Sequence, residues 1–69
     1  MTDLNTRILA AHDKGDKTAL VTLYRAAADQ SGDIDMECYF LTYAYVFALE
    51  LDHEDTAQLQ ARLKRYGRV

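Results

Sequence analysis

The stretch CYFLTYAYVFAL, Cys38 to Leu49, is twelve residues without a charge, and Thr42 is its only polar side chain apart from tyrosine hydroxyls and one thiol. A helix that spans a bilayer needs about 20 such residues. A stretch of this length therefore belongs in a protein core or against a partner, and no membrane is expected. Placed on a helical wheel with its flanks, Met36, Phe40, Tyr43 and Phe47 share one face. Leu41, Tyr45, Ala48 and Leu49 cover the opposite side. A helix apolar all round is normally buried all round.

Working outward, the remaining sequence offers three shorter, alanine-rich helical segments. Four helices from 69 residues make a core whose first-pass stability is close to zero. The expectation is that Phe40, Tyr43 and Phe47 pack inside the chain, while Cys38, Leu41, Tyr45 and Leu49 meet a second chain. Tyrosine suits such a contact, being large, stiff and able to hydrogen-bond.

The chain holds no proline, three glycines and ten alanines, which favours helices. No Asn-Gly or Asp-Gly hairpin turn occurs, and no stretch keeps a clean period of two. The first helix is expected from about Asp3 to Lys14, capped by Thr2 or Asp3, with Leu4, Ile8 and Ala11 as its buried stripe. Asp16 caps the second, which carries Leu20, Leu23, Tyr24 and Ala27 on one face and ends before Gly32. Asp35 caps the third, with Ile34 and Tyr39 as a hydrophobic staple, and this helix reaches about Leu51. Asp52 caps the fourth, from about Glu54 to Tyr66, with Ala57, Leu59, Leu63 and Tyr66 inward. Gly15, Gly32 and Gly67 stand where left-handed C-terminal caps belong.

The net charge is −3, against the basic balance of a nucleic-acid binder. From Asp29 to Asp55 there are eight acids and no lysine or arginine, whereas Arg62, Lys64, Arg65 and Arg68 cluster near the C-terminal end. Basic residues in a last helical turn complement the helix dipole, so that cluster needs no ligand. A single cysteine cannot form an internal disulfide, and the first residues lack the pattern of an export signal. The cytoplasm is the expected compartment, and residues 1–69 are read as one domain.

Parts of the pattern resemble the tetratricopeptide (TPR) and Sel1-like helical-hairpin repeats. Phe40, Tyr43, Ala44 and Phe47 match the aromatic, large apolar, small, aromatic order of a repeat's first helix. Gly15, Asp16, Leu20, Tyr24 and Ala27 match the turn and spacing of a second helix. Arg7 and Ile8, and Ala61 and Lys64, depart from it. The resemblance implies two stacked antiparallel hairpins and a protein-interaction role through the first helices. Two hairpins are fewer than the roughly three such arrays need, which again points to self-association.

No constellation carries catalysis. Around Gly32 a calcium loop would place Ala27 at its first carboxylate position, so its aspartates are read as helix caps. Glu50 and His53 have the Glu-x-x-His spacing of di-iron bundles, in one copy only. Cys38 in an apolar neighbourhood is inert, and no Gly-rich phosphate loop occurs. The expectation is an all-α, four-helix, TPR-like domain that is a non-enzymatic, homodimeric protein-interaction module with no cofactor and no metal. The alternative is a nucleic-acid-linked regulator in which Arg62, Lys64, Arg65 and Arg68 touch phosphates.

Overall fold

The computed structural model describes residues 3–68. Four helices occupy them: α1 Leu4–Lys14, α2 Lys17–Gln30, α3 Ile34–Leu51 and α4 Thr56–Arg65, with no strand among the described residues. The fold is an all-α bundle. Each helix packs most closely on its neighbours in the chain, and the α2–α3 contact is the most extensive. The molecule measures 33 × 28 × 13 Å, a slab with α3 between α2 and α4.

Local sequence sets the helix ends. Asp3 caps α1, its carboxylate accepting from Thr6 N–H at 2.7 Å; the other candidate, Thr2, lies outside the described residues. Those bonds, backbone first, hold the Asp3 carboxyl below its usual range. Asp16 caps α2 in the same way through Ala19 N–H. Gly15 closes α1 at φ 67°, and the amide of Asp16 returns to the carbonyl of Ala11 at 2.9 Å. Only a residue without a Cβ takes that left-handed turn at no cost.

Two expected boundaries are corrected. The N-cap of α3 is Asp33, not Asp35: Asp33 is extended and accepts from Asp35 N–H at 2.9 Å. Ile34 therefore begins the helix, and both it and Tyr39 remain exposed, so they form no buried staple. Asp52 does not start α4 but ends α3, in the left-handed conformation at φ 52°. Its amide and that of His53 satisfy the carbonyls of Leu49 and Ala48. Asp is among the few side chains that tolerate this region, so one aspartate type serves either end of a helix. Asp55 then precedes α4 without a side-chain cap bond, because its carboxylate pairs with Arg25.

The core comprises Ile8 and Ala11 from α1, a stripe of α2 from Leu20 to Ala28, Cys38, Leu41, Ala44 and Ala48 from α3, and Leu59 and Leu63 from α4. Ala57 is exposed, unlike its expected inward position, whereas Tyr66 is half-buried and packs against the core. Four alanines, Ala27, Ala28, Ala44 and Ala48, are buried on α2 and α3. Small residues there let the two helices approach, and leucines fill the remaining space.

On α3 the expectation holds for Leu49, which is exposed, and for Phe40 and Phe47, which pack against the core, and it is reversed for Cys38, Leu41 and Tyr43. Leu41 and Ala48 are fully buried and Cys38 nearly so. Phe40 and Phe47 lie half-buried at the edge of the core, and Tyr43 is exposed. Periodicity offers two apolar faces and no means of ranking them. The face that is buried sets two alanines and a cysteine around Leu41, which lets α3 pack closely between α2 and α4.

Candidate interaction surface

On α3 the side away from the core carries Met36, Tyr39, Tyr43 and Val46, which are 45%, 52%, 41% and 44% exposed, with Leu49 at 53% beside them. Their spacing, three and four residues, aligns them in one stripe along the helix. Between Cys38 and Leu49 that stripe meets no charged residue of its own helix. Large hydrophobics scattered singly on a surface need no explanation, but a continuous row of them does.

The stripe is stiffened from beneath by aromatic contacts. Tyr43 stacks on Tyr24 of α2 with ring centroids 5.3 Å apart and planes 19° from parallel. Tyr39 meets Tyr43 edge-on at 5.0 Å. Tyr24 also stacks on Phe47 at 6.1 Å, and its hydroxyl is hydrogen-bonded to His12 Nε2 of α1 at 2.8 Å. Burial, and then the neighbouring Tyr43, push the Tyr24 phenol above its ordinary value. The hydrogen bond with Tyr43 does the same for Tyr39. Three helices thus fix the orientation of the exposed rings, so little rotamer freedom is left to lose on contact.

The structure separates the residues expected to bind a partner. Cys38 and Leu41 lie inside the chain at 3% and 0% exposure and are not available to another molecule; this part of the expectation is corrected. Tyr45 is half-buried against the core, and Leu49 is on the surface. Sequence reading missed Tyr39 and Val46 and assigned Tyr43 to the interior. The signal that could have found them was the row at 36, 39, 43 and 46, which runs into the uncharged stretch from Cys38 to Leu49.

The basic cluster is divided as well. Arg62 of α4 reaches Asp29 of α2 at 2.8 Å and Glu37 of α3 at 3.2 Å, tying three helices together. Arg68 meets Asp35 at 2.7 Å. Of the four expected phosphate contacts, two are thus engaged within the chain, and Lys64 and Arg65 make no ion pair among the described residues.

Elsewhere the geometry offers little chemistry. Glu50 pairs with Lys17 at 2.8 Å, and His53 Nδ1 accepts from Asp55 N–H at 3.0 Å, so the Glu-x-x-His pair is spent on structure. No three His, Cys, Asp or Glu side chains converge among the described residues. A cleft of about 240 Å³ lies between α1 and α2, with Leu4, Ile8, Ala27 and Phe40 in its lining and Asn5, Gln30 and Ser31 as its polar members. None of these side chains titrates, and the volume is below the roughly 300–1,000 Å³ of most small-molecule sites. No described helix is long and apolar enough to cross a membrane. Comparison with protein-family models, with curated proteins and with solved structures finds nothing that matches this chain.

Proposed function

We propose that this chain is a small cytoplasmic protein-interaction module, acting without catalysis, and that its contact surface is the solvent face of α3. The observation that carries this reading is the uncharged row of Met36, Tyr39, Tyr43 and Val46, each more than two-fifths exposed. Leaving such a row in water forgoes apolar burial worth about 25 cal/mol per Å². The resemblance to TPR and Sel1-like repeats supports the same role, since those arrays bind partners on their first helices and α3 is the first helix of the second pair.

The test is affinity capture with the native chain and a Val46→Lys variant as paired baits. Val46 is exposed and belongs neither to the core nor to the residues packed against it, so the substitution alters the face and not the core. At least one bound protein, a further copy of the chain included, is expected on the native bait and lost from the variant. Identical retention by both baits refutes α3 as the contact surface.

A further inference from the structure

The exposed row on α3 has the spacing of a coiled-coil seam. Met36, Tyr39, Tyr43 and Val46 fall at successive a and d positions of a heptad, and from Met36 to Leu49 the e and g positions hold Phe40, Phe47, Thr42 and Leu49. In coiled coils the charges at e and g choose the partner; here the one charged g position is Asp35, just before Met36 and paired with Arg68, and Glu50 stands at the next a position. We infer that the seam is covered by a second copy of this chain, packed seam against seam across a two-fold axis. This inference rests on the reading of α3 as the contact face and names its occupant.

Charge decides between a second copy and a basic partner. The acids at the ends of the seam are Asp35, Glu37 and Glu50. Asp35 is held by Arg68 at 2.7 Å, Glu37 by Arg62 at 3.2 Å and Glu50 by Lys17 at 2.8 Å. A basic helix would find these carboxylates already neutralised and would have to displace intramolecular partners. A second copy brings an equally uncharged seam, so two molecules of net charge −3 can meet there without opposing unpaired acids. A two-fold contact also requires one patch to complement itself, and a row of like-sized apolar and aromatic side chains does so.

Area sets the strength. If a large side chain presents about 150–250 Å² when fully exposed, five of them near half exposure offer on the order of 450 Å² per copy. That is roughly half the ~800 Å² per partner of a standard stable interface. An interface of that size is weak, so the dimer is concentration-dependent.

Sedimentation equilibrium on the full chain, from about 10 μM to about 1 mM, tests this at low salt and at about 0.5 M salt. The expected mass rises toward twice 7.9 kDa, and added salt leaves the association as strong or strengthens it. Val46→Lys and Tyr39→Lys are each expected to raise Kd about 10-fold or more, with helicity by circular dichroism unchanged. A mass of 7.9 kDa at the highest concentration overturns the inference. If capture then still finds a different protein lost from the Val46→Lys bait, the contact face stands and only its occupant is wrong. A dimer indifferent to both substitutions overturns the seam.

Discussion

The two sides of α3 differ in a direction opposite to the usual rule. The inner side is Cys38, Leu41, Ala44 and Ala48; the outer side is Met36, Tyr39, Tyr43 and Val46. The larger residues face water. In a slab 13 Å thick the space between neighbouring helices is narrow, and small residues suit it best. The rings of α3 stand at the margin, where Tyr43 and Phe47 each stack on Tyr24 of α2, whose hydroxyl is hydrogen-bonded to His12. Hydrophobicity thus marked the helix as important on both sides, and side-chain volume decided which side stays closed.

The strongest way to break this comparison is to remove bulk from each side in turn. Leu41→Ala empties a fully buried site and is expected to cost about 2–5 kcal/mol. Val46→Ala, on the outer side, is expected to change stability by under about 0.5 kcal/mol. Urea denaturation at low protein concentration measures both. Equal losses would mean that the two sides are packed alike.

A smaller effect sharpens how α3 is set in rotation. Asp33→Ala removes the cap that starts the helix and is expected to cost about 1 kcal/mol. Asp35→Ala removes only a solvent-exposed ion pair with Arg68 and is expected to be near-neutral. The same denaturation series separates them, and a larger loss at Asp35 would restore it as the cap.

The smallest effect is read by pH, at the ring that joins the two sides. Tyr24 has its phenol raised by burial and by Tyr43. A raised native value means that protonated Tyr24 contributes stability fully below the ordinary phenol value, and that this contribution is lost as pH rises through the native one. Thermal melts carried into the alkaline range should therefore fall more steeply for the native chain than for Tyr24→Phe. Parallel curves would show that Tyr24 binds its proton alike in the folded and unfolded chain.

Much of this molecule was legible residue by residue. Aspartates 3 and 16 and the glycines at 15, 32 and 67 act locally, through backbone amides and φ angles within a few residues. Asp33 and Asp52 were misplaced because an aspartate offers the same oxygen to several amides and also accepts a left-handed turn. Only the completed turns, α2 to α3 for Asp33 and α3 to α4 for Asp52, select among these. Leu59 and Leu63 were recognised as inward-facing because α4 has one apolar stripe. On α3, with two, the expected contact face of Cys38, Leu41, Tyr45 and Leu49 divides: the neighbouring helices enclose Cys38 and Leu41, Tyr45 is half-buried and Leu49 is exposed.

By itself the sequence determined that the chain is helical, where four helices fall to within a few residues, and that α3 has more apolar surface than a single-sided helix needs. Those properties arise from propensity, capping and period, all of which act between near neighbours. Tertiary structure decided which side of α3 is closed and which acids and bases meet. Arg62 finds Asp29 and Glu37, and Arg25 finds Asp55, across 25 or more residues of chain. Side-chain volume and ion pairing of this kind take effect only when helices distant in sequence are brought side by side.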